Sequence, residues 1–596
     1  MGVLAVDVQG QDKVFGIHNA SGGKIDIMGI TVINANSESK TAQGIYSTGV
    51  NSSIVFKANT ILTTNGANAV QADSGATIIF DKGLVSENSA YIFAHGNNSS
   101  IKINNEGSGL VKIIGNLYAQ AGGTLDFKMD NSESYLEGFT DGVNMDMQNG
   151  ATWRVTGNSS SKNLNLENAT VDLTADGASS TVLAVADYSG TGGSFIMDTD
   201  LASEADGDKI NITTANAGTT YVQVKDASLV NGIEVTGNKN LLLITDASEN
   251  INFVGKNLNA GGLWDVTPTI ENGLTVTDAD GNVIGTADQW YLTKIAKAVN
   301  NDSQVLLDAV DNSYALWRNT NDSLRKRLGE LRFRTNATDG DGIWARYTSG
   351  KFSGSGFDSS YNMYQLGYDK ADNAKSTYGF AVDSGTGHAN YASGGGKDKL
   401  TALSVYGTWT GEKGNYTDVV ARVGQFDTDV DSYGDYPDKA SYKNRAYSLS
   451  VEYGKRIELS KERGTFIEPQ AQLIIGRLGS NSYITDRGTA VAVEGMNSAI
   501  ARLGVVAGKK INDGSDIYFK VSALHEFAGE RDISMRAANG EVLAGSNDYG
   551  DTWFELGLGG NVKLGRASHL YGDIERSFGA DIQKKWQINA GVRFEF

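Results

Sequence analysis

The last eleven residues alternate apolar Trp586, Ile588, Ala590, Val592, Phe594 and Phe596 with polar or small neighbours and end on an aromatic carboxyl terminus. At the open edge of a soluble sheet such an apolar row invites aggregation. In a closed membrane barrel the same row faces hydrocarbon. Segments centred on Arg346, Gln365, Val382, Val405, Ala421, Ser450, Gln470, Gly504, Val521, Leu558, Ile574 and Ala590 alternate in the same way, with polar turns between them. They predict a twelve-stranded antiparallel barrel, the even number that places both ends on the periplasmic side. The longest outer loops are expected at 427–443 and 479–497, and Tyr347, Tyr368, Trp409, Tyr453, Trp553 and Tyr571 are expected in interfacial girdles.

The first third carries a different pattern. An apolar-x-apolar pair recurs at Ile25/Ile27, Ile54/Phe56, Ile78/Phe80, Ile101/Ile103, Leu125/Phe127, Trp153/Val155 and Val171/Leu173, at spacings of 29, 24, 23, 24, 28 and 18 residues. Turns rich in Gly, Asn and Ser precede several of them, such as 49–53, 73–77, 96–100 and 121–124. Coils stacked about 4.8 Å apart would place each inward pair over its equivalents. The expectation is a right-handed parallel β-helix whose core ladder is Ile54, Phe56, Ile78, Phe80, Ile101, Ile103, Leu125 and Phe127. A Gly-rich β-sandwich with accidental spacing is the alternative.

Between about 287 and 333 the period changes to that of a helix. Leu306, Val310, Tyr314 and Trp317, then Leu324, Leu328 and Leu331, form one stripe. Arg325, Lys326, Arg327, Arg332 and Arg334 suit its carboxyl end. A linker packed on a sheet is the plainer reading.

Composition narrows the picture. The 596 residues include 73 Gly, 3 Pro and no Cys, with a formal charge of −19. Without cysteine there are no disulfides, thiolate metal sites or cysteine nucleophiles, and the acidity argues against a nucleic-acid partner. No run of 18 apolar residues occurs, which excludes a helical span but not a barrel. The start, Met1 to Gly10, is not a signal peptide, so a truncated beginning is expected, with part of the first domain absent.

Three motifs then carry a resemblance. Arg327-Leu328-Gly329-Glu330-Leu331-Arg332, Gly342-Ile343-Trp344-Ala345-Arg346-Tyr347, and Tyr361 to Asp369 with Gly367 near its end closely resemble the opening of the autotransporter β-domain. Residues 195–200, 207–212 and 218–224 resemble the last part of the pertactin-like passenger. The resemblance implies a barrel whose lumen is occupied by the helix joining it to the passenger. It implies the motif residues Arg327, Gly329, Glu330, Arg332, Trp344, Arg346, Gly367 and Asp369, and an assembly signal in Trp586, Ile588, Val592, Phe594 and Phe596. The expected domains are a β-helix at 1–190, an autochaperone-like end of the passenger at 191–286, a linker and pore helix at 287–335, and the barrel at 336–596.

Candidate chemistry is sparse. His18, His95, His388, His525 and His569 have no metal spacing. Asp73-Ser74-Gly75 invites comparison with a protease nucleophile but reads as a turn. Asp278 to Asn282 begins like a calcium loop, yet its Gly comes too early and the closing Glu is missing, so a hairpin turn is expected. Asp427, Asp429, Asp431, Asp435 and Asp438 read as a solvated outer loop, with divalent ions near lipopolysaccharide as the sharper alternative. One branch of the family cleaves its passenger at paired Asn before the Arg-x-Gly motif; here the positions read Asp322-Ser323.

The expected function is that of an outer-membrane autotransporter of a Gram-negative bacterium that displays its own passenger, an adhesin or cell-association factor, on the surface or releases it. No cofactor and no catalytic or metal residue is expected, apart from autoproteolytic release. Expected partners are outer-membrane lipid, the barrel assembly machinery, periplasmic chaperones and a surface ligand or a second copy. The alternative is a stalk carrying an enzymatic or missing amino-terminal effector, of polysaccharide lyase or protease type.

Overall fold

A computed structural model describes residues 2–177, 180–201, 207–226, 240–329, 341–373, 375–565 and 567–596. It divides into two compact units, residues 1–260 with 265–298, and residues 261–264 with 299–596.

The first unit is a parallel β-solenoid whose described strands form sheets of eleven, six and thirteen members. In the largest, Ile25, Ile54, Ile78, Ile101 and Leu125 stand in one register row, and Ile27, Phe56, Phe80, Ile103 and Phe127 in another. All eight ladder residues from Ile54 to Phe127 are buried. Phe56 and Phe80 stack with ring centroids 4.7 Å apart and planes 5° from parallel. Burying one such ring stabilises the fold by about 2 kcal/mol. Left-handed corners precede these strands at Ser74 and Asn98 (φ 55° and 63°), where short polar side chains tolerate positive φ.

The row continues differently from its sequence reading. Phe127 pairs with Met145, whereas Trp153 and Val171 pair with each other in the eleven-stranded sheet. The coil after Leu125 is therefore Val143 to Gln148. Beyond it the solenoid ends in antiparallel pairing, Leu241–Asp246 against Gln289–Val299. The start of the region read as helical is thus a strand; the pairing partner, remote in sequence, overrides the local pattern.

The second unit is a closed antiparallel barrel. Its strands are β1 (Asp341–Gly354), β2 (Phe357–Asn373), β3 (Ser376–Tyr391), β4 (Gly394–Thr410), β5 (Asn415–Ser432), β6 (Lys439–Lys455), β7 (Thr465–Leu478), β8 (Met496–Asn512), β9 (Ser515–Glu526), β10 (Thr552–Lys563), β11 (Ser568–Phe578) and β12 (Gln583–Glu595). Each segment centre read from the sequence falls in its own strand. β6 pairs with β7 and β1 with β12, and main-chain bonds of 3.0 and 3.1 Å join Phe596 to Asp341. Outward positions such as Leu366, Val405, Leu473 and Leu558 are exposed apolar residues, as a lipid-facing band requires.

Three expectations are corrected. Trp553 and Tyr571 are buried and face inward, because alternation sends Phe554 and Leu570 outward instead. The 427–443 loop shrinks to a short turn, since β5 and β6 run on and pair Asp427 with Lys443 and Asp431 with Lys439, with ion pairs at 3.3 and 3.2 Å. The 479–497 segment holds strands Asn481–Ile484 and Ala490–Val493, which join Glu530–Arg536 and Val542–Asp548 in a separate four-stranded sheet.

Candidate functional site in the barrel lumen

Helix α1 (Asn301–Thr320) starts where Asn300 caps it, its side chain accepting from the Ser303 amide at 2.8 Å. Leu306, Val310, Tyr314 and Trp317 are buried with Phe352, Phe426 and Tyr549 in one apolar cluster of the barrel interior. Tyr314 stacks on Tyr549 at 4.1 Å, and the Arg318 guanidinium lies 4.7 Å over the Trp553 ring. Polar anchors hold the other faces: Asn312 and Ser313 donate to Asp398, and Asp302 accepts from the Gly434 and Tyr436 amides at 2.8 and 3.0 Å. At the head of the helix, Asn300 holds the Gly262 carbonyl, and Glu541 accepts from the Leu263 and Trp264 amides.

After the turn Asn321-Asp322-Ser323 comes α2 (Leu324–Leu328). The Glu452 carboxylate accepts from the Leu324 amide at 3.0 Å, a negative charge at a helix amino end. Arg325 then pairs with Glu468 and Asp516, both at 3.3 Å, and Lys326 with Glu575 at 2.7 Å. Arg327 donates to both oxygens of Asp418 and lies 4.5 Å over the Tyr406 ring. Further out in the lumen, Lys520 and Lys584 also converge on Glu575. All these charges are paired, and all but the partly exposed Lys520 are buried. Removing one member would strand a buried charge, costing about 3–5 kcal/mol.

The motif residues belong to this network. Arg346 donates to the Asp322 carboxylate and to the Lys326 carbonyl. Trp344 lies where a Cβ on Gly367 would come within 2.2 Å of its ring, which is why that position is glycine. The indole donates to the Tyr406 hydroxyl at 2.7 Å, Tyr406 donates to Asp369 at 3.1 Å, and Arg593 of β12 grips the same carboxylate at 2.5 and 2.7 Å. Gly329 closes α2 with φ 66° and ψ −146°, where a Cβ would also meet Tyr571 at 2.9 Å. Glu330 and Arg332 lie outside the described residues. Sequence reasoning missed Asp418, Glu468, Glu575, Lys520 and Arg593; their signal was a charged side chain at an inward-parity position of a strand.

In the terminal strand, Trp586, Ile588, Phe594 and Phe596 are exposed on the outer face and Val592 is half-buried, while Gln587, Asn589, Arg593 and Glu595 are buried in the lumen.

The remaining candidates are not brought together for catalysis. Ser74 Oγ donates to Asp73 at 3.3 Å, and His95 Nδ1 meets the same Asp73 oxygen at 3.3 Å, so the carboxylate rather than the imidazole sits in the middle. A Ser-His-Asp relay needs the imidazole between the hydroxyl and the carboxylate. Asp278 caps its own turn, accepting from the Asp280 and Asn282 amides. A cavity of about 60 Å³ beside Asn321, Asp322 and Ser323 has room for water. Asp322 faces it with its carboxylate already held by Arg346 and Lys326.

A family model described as Autotransporter beta-domain matches residues 338–575, and one described as Pertactin matches 161–293. The BrkA autotransporter of Bordetella pertussis is 27% identical over 470 residues, 75% of this chain and 44% of that protein. The pertactin autotransporter of Bordetella parapertussis is 32% identical over 301 residues, 47% of this chain and 31% of that protein. Among solved structures, the β domain of the Bordetella autotransporter BrkA aligns over 43% of this chain and 100% of its own, at 24% identity and a TM-score of 0.37. The chain spans less than half the length of these curated relatives. The barrel thus matches the autotransporter β-domain, and the end of the solenoid matches pertactin.

Proposed function

We propose that the chain is an outer-membrane autotransporter that keeps its passenger displayed on and tethered to the cell, and that the passenger is an adhesin. The observation that carries the tether is the paired lumen. Once α1 and α2 are seated, leaving would separate Arg325, Lys326 and Arg327 from buried carboxylates on β5, β7, β9 and β11, and the Leu324 amide from Glu452 on β6. Self-cleavage at Asp322-Ser323 would need the Asp322 carboxylate to turn on its own carbonyl. Arg346 and Lys326 hold it away from that task.

The adhesin reading rests on a passenger that is a parallel β-solenoid, with Asp73, Ser74 and His95 in an order unfit for hydrolysis. Export would proceed as coils fold one upon another, each stabilised by its neighbour. Periplasmic chaperones and the barrel assembly machinery are the partners this route needs, the latter engaging the strand that ends in Phe596. Cells expressing the complete reading frame should attach to an epithelial monolayer several-fold better than cells expressing the barrel and helix alone. Equal attachment with equal surface levels would refute the adhesin reading.

A further inference from the structure

The six-stranded sheet of the solenoid has an outward face unlike the others. Its strands are Phe15–Ala20, Gln43–Thr48, Asn68–Asp73, Tyr91–His95, Leu117–Gln120 and Thr140–Asp141. Ile45, Val70, Ile92 and Leu117 fill the core beneath. Outside them, the central register row reads His18, Tyr46, Gln71, Phe93, Tyr118 and Asp141. On one side runs Phe15, Gln43, Asn68 and Tyr91, and on the other Thr48, Asp73, His95 and Gln120.

The rings are organised. Phe15, His18 and Tyr46 stack within 4.7 to 5.6 Å of one another at one end. At the other, Tyr118 meets Tyr91, Phe93 and Phe139 edge to face at 5.4, 5.8 and 5.5 Å. Between them Gln43 and Asn68 both donate to the Gln71 side chain, at 3.0 and 2.9 Å. The result is an aromatic track interrupted by planar amides and flanked by a carboxylate and an imidazole. Buried aromatic clusters serve a core; these are half-buried or exposed.

We propose that this face binds an uncharged glycan chain laid along the solenoid axis. The proposal rests on the adhesin reading and names its ligand class: a glycan on the surface to which the cell attaches. Aromatic rings offer flat apolar faces to the C–H faces of sugars. Side-chain amides and carboxylates supply the paired donors and acceptors that hydroxyl groups use. Six coils at about 4.8 Å span roughly 24 Å, so each coil meets about one sugar of an extended chain. The face is only three outward residues wide, roughly 300 Å² in all, whereas a stable protein interface needs about 800 Å² per partner. Its charges, Lys13, Asp73 and Asp141 beside His18 and His95, form no basic patch, which disfavours sulfated polymers and nucleic acid.

The test uses cells displaying the full chain, with display verified by protease shaving. Fluorescent cellohexaose, chitohexaose and maltohexaose are offered together with dextran sulfate, and an oligosaccharide array widens the uncharged set. At least one uncharged hexamer should be retained, at least 10-fold more tightly than its trimer. Tyr46→Ala with Tyr118→Ala should lower that binding at least 10-fold. Gln71→Ala, which removes no ring, should lower it several-fold while leaving passenger protease resistance unchanged. Retention of dextran sulfate alone, retention of no uncharged glycan by displayed passenger, or binding indifferent to Gln71→Ala would overturn the proposal. Attachment that persists in that last case would leave the adhesin reading standing.

Discussion

Arg327 of α2 donates through one guanidinium nitrogen to both oxygens of Asp418 on β5, at 2.7 and 2.8 Å, with both side chains buried. This contact joins the lumen helix to the barrel wall, and its neighbours Arg325 and Lys326 pair with carboxylates on other strands. Each pair carries a heavy desolvation cost, so the set fixes where the helix sits more than it adds stability.

Arg327→Ala leaves Asp418 buried without its guanidinium partner, weakening helix seating by about 3–5 kcal/mol. Purified variant in planar bilayers should show frequent open-pore events where the native protein stays closed. The double change Arg327→Met with Asp418→Leu should return the pore to its closed baseline.

Deleting Phe596 removes the main-chain pair with Asp341 that ends the β1–β12 seam, together with an outward ring. Heat-modifiable barrel in the outer membrane should fall several-fold, while the passenger sequence made is unchanged. Unaltered barrel levels would count against an assembly role for the terminal residue.

Ile101→Asp places a charge in a row bounded by Ile78 and Leu125, all fully buried. The passenger should become sensitive to protease across neighbouring coils. Phe80→Ala, which leaves a cavity beside Phe56, should cost about 3–5 kcal/mol. Resistance equal to the native protein in both would refute the ladder.

The solenoid carries a pH-sensitive pair. Burial works to raise the Asp81 carboxyl, but bonds from Lys57 at 2.7 Å and Asn105 at 3.2 Å outweigh it and hold the group below its usual range. A carboxyl depressed on folding contributes stability that is fully present above its unfolded value of about 3.9 and is lost as pH falls through the folded value. Chemical denaturation should therefore show a loss beginning near pH 4, and Asp81→Asn should flatten that part of the profile.

Much of this was legible in the chain because a strand's period of two survives burial on one face only. Leu366, Val405 and Leu558 alternate with lumen residues, and that marked the barrel strands. The same rule held the information about Asp418 and Glu575, but a charged residue at inward parity looks like any polar position until its partner is known. Trp153 was assigned to the wrong row because two sheets of the solenoid share one apolar-x-apolar pattern, and only register separates them. The strand Gln289–Val299 hid beside the helix because its pairing partner, Leu241–Asp246, lies over forty residues away; the capping Asn300 marked the boundary. The four-stranded sheet escaped because Ile533 and Met535 alternate over too short a run to stand out among loop residues. The outward aromatic face was invisible for a related reason: its rings come from coils more than twenty residues apart and meet only through stacking.

The claim that the lumen holds the helix for good is tested most directly by mass spectrometry of outer membrane and medium from cells expressing the complete reading frame, combined with protease shaving. The account predicts one unbroken chain in the outer membrane, with peptides spanning Trp317 to Lys326 intact and solenoid peptides lost on shaving. A soluble passenger in the medium ending between residues 317 and 323 would contradict it.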